Sequence, residues 1–513
     1  MRLRIWLSAT LLAVSAYATA QAEIPLVDAA QAADRAAVLE LIGQGADVNA
    51  AEADGTTALH WAVYHNDADL VGRLLDAGAR ADAANAYGTT PLLQAADHGN
   101  PEIFGRLLAA GADPNVANDG GQPLLMLLAR TSHVEAARLL LAHGADPNAA
   151  EPARNQTALM WAAAARQGPM VRALVESAAD VDARSRVIDR PRMVSSEPRA
   201  QYQAPGGVTP LLYAAREGCL ECARTLVEAG ADIDLDDPEG ITPLIMAVWN
   251  THFDTAAYLV EAGADVNKWD YWGRTPLYLA VDFNTIPHGG RSDRPSLDST
   301  TSREMIGLLL EAGAYPNLQL KVLPPFRNVG ADRGVDGMLT TGATALLRAA
   351  KALDAPAIEL LLRYGADPNI PNLAGTTPTM AAAGLDSTDA DTRGWYHTSD
   401  VQDRSIASLR LLLEAGGEPN ASGGRRGQTP LHGAAFWGWN DVVRYLARQG
   451  AEINATDPRG MTPLDAAMGR AGGNSRGGQR IDVFPETAAL IEELGGHAGT
   501  PAEPAAGLGL GRP

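Results

Sequence analysis

The sequence predicts an all-α fold, a solenoid of about twelve helix-turn-helix units joined by β-turns. The first observation is a returning phrase: a Thr-Pro-Leu-like opening, a Leu-rich stretch, then a closing Gly-Ala-Asp-x-Asn. Openings fall at Thr57, Thr90, Thr157, Thr209, Thr242, Thr275, Thr344, Thr377, Thr429 and Thr462, and five steps between neighbours equal 33 residues. A fixed period of about 20–50 residues marks a stacked array. The second observation is composition: hydrophobic content is 46% and aromatic content only 5%, which suits Ala/Leu helices. A chain of 513 residues would ordinarily divide into about three domains. A solenoid escapes that rule because it grows by adding units around one core. Units start near residues 24, 57, 90, 123, 157, 209, 242, 275, 344, 377, 429 and 462, with the first and fourth degenerate and the last interrupted.

Within a unit the residues follow helix physics in order. Thr242 caps a helix start, and Pro243 sits where a missing N–H costs nothing. Leu244, Ala247 and Val248 form an apolar stripe at helical spacing. A second helix carries Ala257, Leu259 and Val260 and stops at Gly263, a residue that tolerates the left-handed cap. Asp265 and Asn267 suit the turn into the next unit. Small pairs (Ala95-Ala96, Ala214-Ala215, Ala349-Ala350, Ala434-Ala435) allow neighbouring helices to approach closely. The clearest copy runs Gly427-Gln428-Thr429-Pro430-Leu431-His432-Gly433-Ala434-Ala435 and closes with Gly450-Ala451-Glu452-Ile453-Asn454. At these residues the chain resembles the ankyrin-repeat family, and the resemblance covers nearly everything from Ile24 to about Gly496. It implies a unit of a β-turn plus two antiparallel helices, and binding to another protein. It also implies that His60 and His432, in the Thr-Pro-Leu-His slot, hydrogen-bond within and between repeats.

The N-terminus reads as an export signal. Met1-Arg2-Leu3-Arg4 is basic, Ile5 to Ala18 is mostly apolar, and Ala18-Thr19-Ala20 and Ala20-Gln21-Ala22 offer small-x-small cleavage sites. Residues 1–22 are therefore expected to be a signal peptide, too short and too soon broken for a transmembrane helix. No Cys follows the cut to take a lipid, and no later run is long enough to span a membrane. Losing Arg2 and Arg4 moves the formal charge from −20 to −22, which argues against a general nucleic-acid binder. Lys268, Lys321 and Lys351 are the only lysines beside many arginines. That bias often accompanies a GC-rich bacterial genome, so the expected address is the periplasm, with an extracellular one as the alternative.

Three steps between openings are too long, so insertions are expected in loops at about 184–206, 284–302, 318–341 and 386–403, and a Gly- and Arg-rich segment at about 470–483 splits the last unit, within an array spanning 23–497. Arg184, Arg186, Arg190, Arg192 and Arg199 concentrate in the first of them. Long loops are often functional, though simple tolerated insertion accounts for them equally. The tail 498–513, rich in Ala, Gly and Pro, is expected to be disordered.

The search for chemistry finds little. No metalloprotease, phosphate-loop or nucleophile-elbow motif occurs. The Asp residues recur once per unit at turns, as turn chemistry requires. No catalytic residue, metal site or cofactor is expected. Cys219 and Cys222 are the only cysteines, spaced Cys-x-x-Cys, and Ala223 excludes the haem-attachment signature. They read as packed thiols or as a disulfide, with redox exchange as a third reading; a bond requires particular geometry.

In the family, partners meet the turn tips and the exposed positions late in the first helix. Carried over, that implies Trp249 and Asn250 late in one first helix, Trp269, Tyr271 and Trp272 on the following tip, and Phe283 late in the next helix. Tyr64, His65, Tyr87, Asp97 and His98 occupy matching places nearer the N-terminus, as do Phe436 and Trp437 nearer the C-terminus. Trp61 and Trp161 fall at an inner, packed slot. Exposed Trp and Tyr dominate interface hot spots, so these residues form the candidate surface, unless the insertions fold back and cover them. The expected function is a non-enzymatic scaffold for an unidentified protein partner. The alternatives are a ligand or glycan binder that stacks on Trp249, Trp269 and Trp272, and a minor redox role of the cysteines.

Overall fold

The computed structural model describes residues 25–188, 206–285, 298–322, 338–387, 395–470 and 483–500. The expected signal peptide, the middle of each insertion and the tail beyond residue 500 lie outside the described residues. Contacts divide the chain into two units at Asp146 and Pro147.

The first unit holds four helix pairs. They are α1 (Pro25–Gln31) with α2 (Arg35–Gly43), α3 (Ala58–Tyr64) with α4 (Ala68–Asp76), α5 (Pro91–Gln94) with α6 (Pro101–Ala109), and α7 (Leu124–Thr131) with α8 (Val134–Ala142). The second unit holds eight. Its first four pairs are α9 (Ala158–Ala164) with α10 (Gly168–Glu176), α11 (Pro210–Glu217) with α12 (Leu220–Glu228), α13 (Pro243–Trp249) with α14 (Phe253–Glu261), and α15 (Pro276–Thr285) with α16 (Ser302–Glu311). The remaining pairs are α17 (Ala345–Lys351) with α18 (Ala355–Arg363), α19 (Pro378–Ala382) with α20 (Val401–Glu414), α21 (Pro430–Phe436) with α22 (Asn440–Arg448), and α23 (Pro463–Ala467) with α24 (Pro485–Glu493). Twelve pairs stand among the described residues, as the repeat period predicts, and the non-helical pairing there consists of isolated bridges between turns.

Capping explains why each first helix begins where it does. Thr242 Oγ1 accepts the Ile245 N–H at 3.2 Å, and Thr90, Thr209 and Thr344 act alike. Two units add a histidine. His60 Nδ1 accepts the Thr57 N–H at 3.2 Å, so its Nε2–H is left to donate to Thr89 O in the next repeat at 3.0 Å. His432 repeats the arrangement with Thr429 and Met461 O. Burial lowers the pKa of both rings, which favours the neutral form that this pattern needs. First helices stack on first helices, α11 on α9 and α13, and α15 on α13 and α17. The stripe Leu244, Ala247 and Val248 is fully buried there, as are Ala214-Ala215, Ala349-Ala350 and Ala434-Ala435.

A second ladder joins the closing turns. Asn267 Nδ2 donates to Gly313 O at 3.1 Å, and its Oδ1 accepts the Tyr315 N–H at 2.8 Å. Asn49, Asn115, Asn317, Asn369 and Asn420 make the same two-way bridge to the repeat that follows. At Asp182 and Asp234 a carboxylate stands in the slot, and lacking an N–H to donate it bridges one way only, accepting from the Asp232 and Asp265 N–H groups.

The insertions are tied at their bases. Ser185 and Val208 pair across the first, with Ser185 N–H donating to Val208 O at 3.1 Å and Val208 N–H to Ser185 Oγ at 3.0 Å. Leu320 and Ala343 pair across the third. Asn284 accepts from the Ser302 hydroxyl at 2.6 Å across the second. The fourth corrects the expectation of a loop through Asp403: Trp395–His397 form a 3-10 turn, and α20 already begins at Val401. At the C-terminal end, His497 N–H donates to Asn454 Oδ1 and Gly499 N–H to Asp465 Oδ2, so the docked chain runs past the expected start of the tail.

Candidate partner-binding surface

The turn before α15 carries the aromatic tip. Asp270 Oδ1 accepts the Trp272 and Arg274 N–H groups at 3.0 and 2.9 Å, which folds the tip into a tight turn. The Tyr271 N–H donates to Glu239 O of the preceding tip at 2.7 Å. Trp269 and Tyr271 are left 49% and 48% exposed.

The other expected members of this cluster are placed differently. Trp272 is 9% exposed and Phe283 8%, so neither presents a free ring to solvent. For Trp272 the reason is an internal cation. The Arg274 guanidinium lies 4.7 Å from the Trp272 ring centre and 4.1 Å from that of Trp249, and its Nε donates to Asp270 Oδ2 at 2.6 Å. Buried guanidinium, carboxylate and two indoles form one packed set. Trp249 is consequently half-buried, and Asn250 turns its amide back onto Met246 O at 2.9 Å. Lys321, at the base of the next insertion, stands 4.1 Å from the Trp269 ring centre, held by its N–H donating to Trp272 O at 2.9 Å. With Trp272 buried and Arg274 against Trp249, the three indoles do not form one open stacking platform for sugars, although Trp269 stays exposed.

Near the C-terminus an insertion does fold back. Tyr396 is 2% exposed; its ring meets Trp437 at 5.1 Å and Trp439 at 5.0 Å, and its hydroxyl donates to Lys351 O at 2.7 Å. Trp437 N–H donates to Gly384 O at 2.8 Å, and a Cβ on Gly384 would meet the indole at 2.6 Å. Trp437 is thus half-buried packing, while Phe436 beside it stays exposed. Sequence reasoning missed Tyr396, because it lies in an insertion outside the repeat pattern.

In the first unit Tyr64 and His65 are exposed beside Trp61, with Tyr64 edge-on to it at 5.6 Å. The imidazoles are tethered: His65 Nε2 lies 2.9 Å from Gln31 O and His98 Nε2 3.1 Å from Tyr64 O. Tyr87, 65% exposed, borders an open groove of about 400 Å³ together with Leu93, Gln94, Asp97, Asn118 and Asp119. Trp61 and Trp161 are half-buried rather than core, each tying its N–H to a side chain, Glu52 and Gln156.

Cys219 and Cys222 are both buried, with Cα atoms 5.2 Å apart, and form a disulfide at the start of α12. An accessible low-pKa thiolate, which redox exchange needs, is not displayed by this arrangement. Among the described residues no group of three or more His, Cys, Asp or Glu side chains is placed to hold a metal, and no helix is long and apolar enough to cross a membrane.

Comparisons with known proteins agree with the repeat reading. A family model described as ankyrin repeats (3 copies) matches residues 26–118, 93–185, 192–270, 211–320 and 401–474, and a single ankyrin-repeat model matches 341–373. Among curated proteins, mouse Ankyrin repeat and SOCS box protein 16 is 33% identical over 111 residues, 22% of this chain and 22% of that protein. Human Rabankyrin-5 is 45% identical over 56 residues, 10% of this chain and 5% of that protein. The ARF GTPase-activating protein Git of Drosophila melanogaster is 37% identical over 102 residues, 20% of this chain and 14% of that protein. The chain thus spans about a fifth or less of the length of these relatives. Among solved structures, the human ASB11 ankyrin repeat domain aligns with 47% of this chain and 99% of its own, at 24% identity and a TM-score of 0.38. The Bcl-3 ankyrin repeat domain aligns with 46% and 98%, at 27% identity and a TM-score of 0.38.

Proposed function

Since the chain belongs to the ankyrin-repeat family, we propose that it is a non-enzymatic scaffold that binds another protein, acting after export in the periplasm or outside the cell. The observation that carries the binding half is the set of large aromatic side chains left in water on the turns, Tyr87 in the first unit and Trp269 and Tyr271 in the second. A repeat stack does not need aromatics at its tips, and such rings gain most when a partner covers them. The address rests on the basic start, apolar run and Ala-x-Ala ending of residues 1–22. The test is a pull-down from native periplasm with the mature chain as bait, read against a Tyr87→Ala/Trp269→Ala/Tyr271→Ala variant. A protein retained by the parent and lost by the variant is the expected result. Equal retention by both would remove these rings from the binding surface.

A further inference from the structure

The groove beside Tyr87 in the first unit lies between two consecutive turns and the helices that follow them, all within the continuous described stretch 25–188. Each turn is held by its own asparagine. Asn85 Oδ1 accepts the Tyr87 and Thr89 N–H groups at 3.0 Å, and Asn118 Oδ1 the Gly120 and Gln122 N–H groups at 3.1 and 3.0 Å. A Cβ on Gly88 would meet Asp119 Oδ1 at 2.6 Å, so the Asp119 carboxylate lies against the turn that carries the Tyr87 ring. In the same groove a 3-10 turn over Ala95–Asp97 follows α5 and leaves Asp97 exposed. Asp97 accepts only a long 3.4 Å bond from Gln94 Nε2, and among the described residues neither Asp97 nor Asp119 forms an ion pair. The cations nearby are engaged or stand apart. Arg80 pairs with Asp82 at 3.4 Å, Arg154 lies one turn further along, and Arg130, at the end of α7, does not line the groove and has contacts of its own. His98, next to Asp97, holds its Nε2 at 3.1 Å from Tyr64 O. Glu52, Asp54 and Glu151 on the adjoining turns deepen the negative balance.

We infer that this groove takes an arginine side chain of the partner protein, its guanidinium meeting the carboxylates of Asp97 and Asp119 and lying on the Tyr87 ring. The inference rests on the scaffold reading above and adds the chemistry of the partner. A volume of about 400 Å³ is at the small end for ligand sites, which suits one long side chain rather than a broad folded surface. Arginine satisfies every feature of the groove at once. Its fork of N–H donors matches a carboxylate, its planar face stacks on an aromatic ring, and its methylene stem covers apolar groups such as Leu93 and Leu127. Lysine offers a point charge without the fork, and an acidic side chain would be repelled.

The experiment uses the full mature chain and three short fluorescein-labelled peptides that differ only at a central residue flanked by leucines: arginine, its neutral isostere citrulline, or lysine. Fluorescence anisotropy should show the arginine peptide binding at least about tenfold more tightly than the citrulline peptide, with lysine between them and an affinity that falls as salt rises. Asp97→Asn/Asp119→Asn should weaken the arginine peptide by about tenfold or more, and Tyr87→Ala by about three- to fivefold. Both variants should keep the parent's thermal unfolding, because these side chains are exposed. Asp76→Asn/Glu135→Gln removes the same charge from exposed positions outside the groove and should leave the arginine peptide's affinity unchanged. An arginine peptide that does not bind, or binds no better than citrulline, overturns the inference. So does a loss in Asp97→Asn/Asp119→Asn no larger than in the control variant, which would reduce the effect to the general acidity of the chain. The pull-down separates its failure from that of the scaffold reading. A native protein retained equally by the parent and by Asp97→Asn/Asp119→Asn discards the arginine inference alone. A parent chain that retains no protein discards the scaffold reading with it.

Discussion

Asp237 occupies the turn slot that Asn85 and Asn372 fill in other repeats. In each case Oδ1 accepts backbone N–H groups two and four residues on, here from Glu239 and Ile241 at 2.9 and 3.0 Å. Asn372 also donates its amide N–H to Met338 O at 2.7 Å, whereas the carboxylates at Asp270 and Asp457 lean on Arg274 and Arg459. Among the described residues Asp237 has neither device, and burial pushes its pKa up to about 6. A folded-state value above the unfolded one means the stabilisation is fully present below about pH 4 and is lost as the pH rises through about 6. Asp237→Asn should therefore stabilise the protein at pH 8, by on the order of 1–3 kcal/mol, and by much less at pH 4.5. Thermal unfolding at the two pH values checks this; an equal gain at both would mean that charge is not the cause. The one-way bridge at Asp234 calls for a second replacement. Asp234→Asn should add the missing donor to Gly263 O and raise stability by about 0.5–1.5 kcal/mol, read as an upward shift of the urea midpoint.

Elements were legible in the sequence wherever the 33-residue phrase is intact, because Thr caps, Pro at the first helical position and apolar stripes are local signals. Where the chain leaves the phrase, they were not. Nothing local marks Tyr396 as core; only the folded neighbourhood of Trp437, Trp439 and Lys351 O gives it a place. The aromatic tip was legible as a turn and misread in part as a surface, because the burial of Trp272 depends on Arg274 and on the backbone of Lys321, an insertion away. The Tyr396 packing yields an element-scale prediction. Tyr396→Ala should cost about 3–5 kcal/mol, as for other large buried aromatics, and Tyr396→Phe less, because only the hydroxyl bond is lost. Chemical denaturation measures both. A Tyr396→Ala variant as stable as the parent would show that this insertion merely lies against α21.

At the scale of the whole molecule, period and composition foretold a stack, and stacks distribute stability by neighbourhood. Export belongs to this scale too: N-terminal sequencing of the exported chain should begin near Gln21 or Glu23, and an intact Met1 would count against the signal peptide. Within the second unit, α13 packs on α11, α14 and α15, while α21 to α24 pack on one another several repeats away. Leu244 lies fully buried in α13, so Leu244→Ala should remove about 2–5 kcal/mol of local stability. Because each repeat is supported chiefly by its neighbours, that loss has no short route to the far helices. Hydrogen exchange in the variant should quicken first across α11 to α15, with α21 to α24 keeping the protection of the parent chain. Protection lost evenly along the unit would mean that the repeats unfold as one cooperative block, and that nearest-neighbour coupling is stronger here than the stability of any single repeat.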